Sequence, residues 1–319
     1  MNEKLQVKVR AIGELTERIK SYELVPLDDA GELPPFTAGS HITLYLPSGL
    51  ERQYSLYNDP CETQRYCIAV QREDTGRGGS LEIHRSFRAG SALNISPPRN
   101  LFPLNERTRG SLLIAGGIGI TPVFSMLHRL AGCDNSFTLI YLAKDPAQAV
   151  FLEQIKSIKS ASSLLICHFD QGDPSRTFDI RGFLCKVGHD IDIYCCGPTA
   201  LMDAVRDATL DRPQDIVHFE YFNNDLIRRR DENRPFLVRL ERTNRTIEVK
   251  ADQTILDALL SAGMDIDYSC TEGTCGTCIV PLIEGEADHR DRVLLPSERE
   301  TKIAICCSRA KNDLIALDL

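Results

Sequence analysis

No apolar run in this 319-residue chain is long enough to span a bilayer, and no apolar signal core follows Met1. The chain passes from Met1-Asn2-Glu3-Lys4 straight into the alternating Leu5-Gln6-Val7-Lys8-Val9-Arg10. The expectation is a cytoplasmic protein without membrane spans. Basic residues are also in short supply, 37 Lys and Arg against 45 Asp and Glu for a net charge of −8, which argues against a nucleic-acid partner. The one basic run, Arg228-Arg229-Arg230, is followed by Asp231 and Glu232 and reads as solvated linker. With no secretion signal, the twelve cysteines fit a reducing compartment and are read as thiols or ligands, not disulfides.

What the chain does contain falls into blocks. Residues 1–107 carry short alternating strands broken by Pro and Gly, at Lys4–Ile12, Ser21–Pro26, His41–Leu46, Arg52–Leu56 and Tyr66–Val70, which predicts an antiparallel β-barrel. Residues 108–222 alternate apolar strands with helical periodicity, including helices at Pro122–Leu130, Gln148–Ile158 and Leu201–Ala208, which predicts an α/β parallel sheet. The polar segment 223–234 reads as a linker. Residues 235–319, with strand signals at Phe236–Leu240, Thr246–Val249 and Asp313–Leu317 and a helix at Ile255–Ala262, suit a small mixed β-grasp domain.

Cys270, Cys275 and Cys278 stand in Cys-Thr-Glu-Gly-Thr-Cys-Gly-Thr-Cys, the spacing of a plant-type [2Fe-2S] centre. Structural zinc is the competing reading, but it favours paired ligands two to four residues apart, and here the last ligand lies far downstream. Gly273, Thr274, Gly276 and Thr277 are small enough to let backbone N–H groups turn inward toward cluster sulfurs. The fourth ligand falls to Cys306 or Cys307, after the run Ile303-Ala304-Ile305; on a strand only one of the two neighbours faces the cluster.

A nucleotide site is expected where the strand Leu112–Ala115 runs into Gly116-Gly117-Ile118-Gly119-Ile120-Thr121-Pro122. Gly117 and Gly119 let a pyrophosphate approach, Thr121 suits an N-cap, and Pro122 suits the first helical turn. Val123 takes the place of the third glycine of the dinucleotide fingerprint, so tight packing alone is the alternative. Asp145, at the end of the next strand, either accepts from a ribose 2′-hydroxyl, favouring NADH over NADPH, or simply makes an Asp-Pro turn. Cys196-Gly197-Pro198 opens another strand end to a helix at the carboxyl edge, where ligands sit in such sheets.

In the first block, Arg52-Gln53-Tyr54-Ser55 puts Arg52 and Tyr54 on one strand face and Ser55 on the other. Arg suits a phosphate, Tyr a flat ring and Ser a flavin edge. Gly76-Arg77-Gly78-Gly79-Ser80, before the helical Leu81–Phe87, reads as a cationic, N-capped anion site or as an exposed glycine loop.

Together with His218-Phe219-Glu220-Tyr221-Phe222 and Glu284-Gly285-Glu286-Ala287-Asp288-His289-Arg290-Asp291, these motifs resemble, along essentially the whole chain, the phthalate dioxygenase reductase group of the ferredoxin–NADP reductase superfamily. Members are reductase components of two-component Rieske oxygenases. The resemblance implies an FMN barrel, an NAD domain and a carboxyl-terminal ferredoxin domain, taking hydride from NADH onto FMN and passing single electrons through the cluster to a Rieske-type oxygenase. It implies that Arg52, Tyr54 and Ser55 hold the flavin, and that Arg77, Gly79 and Ser80 surround its phosphate. Thr121 and Cys196 then lie beside the nicotinamide, with Gly197 and Pro198, and Phe222 shields the flavin. The following Asn223-Asn224 departs from the small residues expected there. The stretch Cys306-Cys307-Ser308-Arg309-Ala310 selects Cys306 as fourth ligand. Two alternatives are an FAD-dependent reductase subunit for a non-Rieske oxygenase and a non-catalytic iron–sulfur sensor.

Overall fold

In the computed structural model the described residues are 4–28, 31–108, 110–158, 163–222 and 233–319. The chain divides into two compact units, Met1–Glu220 and Tyr221–Leu319. Most of the expected linker, Arg228-Arg229-Arg230 included, lies outside the described residues.

The first unit opens with an antiparallel sheet. Its strands are β1 (Leu5–Glu14), β2 (Ile19–Pro26), β3 (Ser40–Tyr45), β4 (Glu51–Ser55) and β5 (Tyr66–Gln71), then β6 (Ala92–Ile95) and β7 (Arg99–Asn100) after the helix α1 (Gly79–Ser86). The order is β4-β3-β6-β1-β2-β5, with β7 on β3, and an antiparallel bridge between Leu56 and Ile68 joins the end of β4 to β5 and closes the barrel. Alternation puts Val7, Val9, Tyr22, Leu24, Ile42, Leu44, Ile68 and Val70 inside; each such side chain, fully buried, contributes about 1.5–3 kcal/mol.

The parallel sheet follows: β8 (Ser111–Gly116), α2 (Ile120–Gly132), β9 (Phe137–Ala143), α3 (Leu152–Ser157), β10 (Ser163–Phe169), α4 (Ile180–Leu184), β11 (Asp192–Cys196), α5 (Thr199–Ala208) and β12 (Val217–Glu220). The order is β10-β9-β8-β11-β12, all parallel, so the chain reverses its direction of winding between β8 and β11. Crevices form at such switch points. The helix expected over Gln148–Ile158 is broken: Pro146–Gln148 is a 3-10 turn capped by Asp145, and Phe151 has φ 64° before α3 begins. Hydrophobic periodicity does not register a left-handed residue.

The second unit is a mixed sheet of β13 (Phe236–Leu240), β14 (Arg245–Val249), β15 (Ile279–Glu284), β17 (Lys302–Ala304) and β19 (Leu314–Leu317) in the order β14-β13-β19-β15-β17, with the pair β16 (Ala287–Asp288) and β18 (Arg309–Ala310). β13 and β19 run parallel and the other pairs antiparallel. Between β14 and β15 the helix α6 (Ile255–Ser261) starts in a reciprocal capping box of Thr254 and Asp257 and buries Ile255, Leu256 and Leu259. No helix of the described residues is long and apolar enough to cross a membrane.

Candidate functional site

Three sets of residues gather the chemistry expected from the sequence. On β4, Arg52 turns toward the glycine turn before α1: its guanidinium donates to the Arg77 carbonyl at 2.9 Å and to the Glu51 carbonyl at 2.8 Å. A side chain on Gly79 would lie 2.5 Å from Arg52 Nε, so the arginine occupies the space this glycine leaves. The turn differs from expectation in its cap. The helix begins at Gly79 with Gly78 at φ 83° and no side-chain cap; Ser80 sits inside the first turn, and its hydroxyl accepts from the Glu73 N–H at 3.0 Å. The first-turn N–H groups therefore have no capping side chain, the arrangement that favours an external anion.

Ser55, on the opposite strand face, is buried and its hydroxyl donates to Glu220 Oε2 at 3.1 Å. Glu220 ends β12 directly across from Cys196 on β11. Its residue retains some exposed surface while its carboxyl is enclosed, and that burial pushes the acid up to about 8, with the Ser55 hydroxyl opposing. The Cys196 thiol is raised well above its ordinary value by burial and by the Glu220 charge, so it stays protonated. Sequence reading placed Ser55 and Cys196 but gave Glu220 no role. The partners are 165 residues apart in the chain, and an acid at a strand end carries no local signal.

At the β8–β11 crevice two glycine turns meet backbone to backbone. A Cβ on Gly119 would lie 2.2 Å from the Cys196 carbonyl oxygen, and one on Gly116 would lie 2.6 Å from Pro198 Cδ. Thr121 is not the N-cap: a 3-10 turn over Gly117–Gly119 leads into α2 at Ile120, and the buried Thr121 hydroxyl donates to the Ile118 carbonyl at 3.0 Å. Asp145 accepts from the backbone N–H and the side-chain amide of Gln148, each at 3.0 Å. Both oxygens are thus engaged by the turn, although each keeps a further lone pair. Phe222 is 36% exposed and belongs to the second unit.

In the second unit Cys270 stands beside Cys275 and Cys306, and Cys306 beside Cys278. The loop between them is wound so that N–H groups face sulfur: Glu272 and Thr274 donate to Cys270 Sγ at 3.3 and 3.4 Å, and Gly273 donates to Cys306 Sγ at 3.2 Å. Left-handed backbone at Thr271, Gly273 and Gly276 makes that winding possible. Cys270 is drawn down, first by the Cys275 thiol and then by that of Cys306, and Cys278 is drawn down first by Cys306. Cys306 and Cys307 lie on a turn after β17, not on a strand, so alternation does not separate them. Packing does: Cys307 Sγ faces the Ala304 carbonyl and Ser308, whereas Cys306 stands against Cys270 and Cys278. Among the described residues no three acids, imidazoles or thiols surround one ion. A dinuclear cluster asks only two cysteines of each iron, and soft sulfur donors with inward N–H groups fit that group.

Residues 238–311 match the family model of a 2Fe-2S iron-sulfur cluster binding domain, and residues 113–207 match an oxidoreductase NAD-binding domain. The chain is 44% identical over 316 residues to phthalate dioxygenase reductase of Burkholderia cepacia, covering 99% of this chain and 97% of that one. It is 39% identical to a vanillate O-demethylase oxidoreductase of a Pseudomonas strain, covering 99% and 100%. A solved structure described as phthalate dioxygenase reductase, a modular structure for electron transfer from pyridine nucleotides to [2Fe-2S], superposes with a TM-score of 0.77 at 42% identity, covering 99% and 98%. On this sequence and structural agreement along nearly its whole length, the chain belongs to the phthalate dioxygenase reductase family.

Proposed function

We propose that this protein is the reductase component of a two-component Rieske oxygenase system, and that its FMN barrel spans residues 1–107, its NAD domain 108–222 and its ferredoxin domain 235–319. The protein is an NAD-dependent oxidoreductase with a [2Fe-2S] binding domain, serving an oxygenase. When bound, FMN and the cluster take the hydride of NADH and release its two electrons singly. The chain's own part is positioning. Arg52 and the uncapped turn at Gly79 hold the flavin phosphate, with Arg77 and Ser80 beside it. Tyr54 and Ser55 hold the ring. The glycine turns at Gly117, Gly119 and Cys196-Gly197-Pro198 seat the dinucleotide, with Thr121 against the nicotinamide. Cys270, Cys275, Cys278 and Cys306 ligate the cluster.

The observation that carries this reading is the cysteine loop, in which backbone N–H groups already point at the sulfurs that would bear the cluster's charge. An anaerobic NADH titration followed by visible absorbance and low-temperature EPR tests it. Bleaching of a flavin band with appearance of a reduced [2Fe-2S] signal is expected. A protein reconstituted with flavin and iron that stays silent toward NADH would overturn it. Asp145 favours NADH through its charge. Equal turnover with NADPH would remove that role.

A further inference from the structure

The segment after β16 has no part in ligating the cluster, yet it grips the cluster loop at Gly273 and the turn beyond Cys306 at Ser308. The backbone N–H of Arg292 donates to the Gly273 carbonyl at 2.9 Å, and Gly273 is the residue whose own N–H points at Cys306 Sγ. Two residues earlier, the Arg290 N–H donates to Ser308 Oγ at 3.1 Å, two positions beyond Cys306. Between these grips lies Asp291, 0% exposed, whose Oδ2 accepts from the N–H groups of Val293 at 3.2 Å and Leu294 at 2.8 Å. Its other oxygen faces His289 Nδ1 at 3.5 Å. His289 Nε2 lies 2.8 Å from the Arg299 carbonyl, which can only accept, so Nε2 carries a proton. Nδ1 can then meet the Asp291 carboxylate favourably only if a second proton sits in the pair.

We propose that Asp291 is a positioning residue for the iron–sulfur centre: it fixes the turn Arg290–Leu294, and through Arg292 and Gly273 it holds the N–H that donates to Cys306 Sγ, thereby setting the cluster's reduction potential. A hydrogen bond to a ligand sulfur stabilises the reduced, more negative cluster, so it raises the potential and its loss lowers it. The acid acts through geometry. An asparagine of the same shape keeps an oxygen for Val293 and Leu294 and presents an amide N–H to the lone pair of a neutral His289. A glutamate keeps the charge but adds a methylene where there is no room.

The test is the midpoint potential of the cluster, titrated in the full-length flavoprotein and read by EPR, in Asp291→Asn and Asp291→Glu. The expected result is a wild-type potential in Asp291→Asn and a potential displaced to more negative values, with altered g-values, in Asp291→Glu. The reverse pattern would mean that charge sets the potential and would overturn the proposal. Unchanged potentials in both variants, equal shifts in both, or loss of the cluster from both would leave Asp291 a folding residue and overturn it as well. The proposal rests on the [2Fe-2S] reading of the four thiols. A wild-type protein with no reduced-cluster signal would strike that reading itself, before any variant is compared.

Discussion

The glycine turn Gly116–Gly119 and the cysteine loop Cys270–Cys278 are both short and glycine-bearing, yet their glycines answer different needs. At Gly119 the requirement is space, because a Cβ would lie 2.2 Å from the Cys196 carbonyl oxygen. At Gly276 the requirement is handedness: φ is 81°, and the nearest atom to an added Cβ, Ile279 Cδ1, lies at an ordinary 3.4 Å. The first turn is pressed against the Cys196–Pro198 turn, whereas the second has already aimed three backbone N–H groups at sulfur. A substrate site has to be vacant to work, while a resident cofactor's site is best organised beforehand.

Breaking the loop and leaving the turn intact gives the largest expected effect. Cys275→Ser removes one ligand; NADH-dependent reduction of a one-electron protein acceptor falls by about 100-fold or more, beyond the loss usual for outer-shell changes, while stopped-flow bleaching of the flavin by NADH keeps its wild-type rate. Retained acceptor reduction would mean that electrons do not pass through the cluster. The converse break is Gly119→Ala, which forces two backbones apart and costs about 2–4 kcal/mol of stability in the first unit. Flavin bleaching by NADH is slowed, and the [2Fe-2S] EPR signal after dithionite reduction is unchanged. A variant with normal NADH kinetics would show that the turn does not seat the dinucleotide.

The two regions also differ in how they treat a buried proton. In the first unit Glu220 has its folded-state value raised to about 8, above the unfolded value of a glutamate. Between those values the folded chain binds the extra proton, so stability is greatest below the unfolded value and declines as pH rises toward 8, levelling off above it. Glu220→Gln removes the titration. Relative to this variant, the wild type should lose about 2–3 kcal/mol between pH 6 and pH 9, checked by urea unfolding at both pH values. Parallel pH dependence in the two proteins would show that the carboxyl is not enclosed.

Much of this was legible in the sequence where the signal is local. Phe236–Leu240 follows from a run of apolar residues with clear ends, and the loop from Cys270 to Cys278 follows from spacing. What escaped is either very short or set by contacts far along the chain. β6 is four residues and α4 is five, both too brief for a period to establish itself. The start of α2 at Ile120 instead of after Thr121 is set by the 3-10 turn that brings Gly119 against Cys196, a partner from another strand. Glu220 acquires its unusual chemistry only when β12 is laid beside β11 and faces Ser55 of the barrel.

The smallest expected effect separates space from handedness most sharply. In Gly276→Ala the new methyl meets Ile279 at van der Waals distance, so nothing has to move; the whole penalty is the left-handed backbone, about 1–2 kcal/mol. The neighbouring Thr271 already tolerates φ 56° in the same loop, so a side chain in that conformation is compatible with the winding. The variant should therefore load its cluster, keep an unaltered EPR spectrum and lose only that stability in the second unit, seen as a lower midpoint in thermal unfolding. NADH bleaching of the flavin should be untouched. If Gly276→Ala instead failed to hold the cluster, the glycine would be needed for close approach, as Gly119 is, and the contrast between the two turns would collapse.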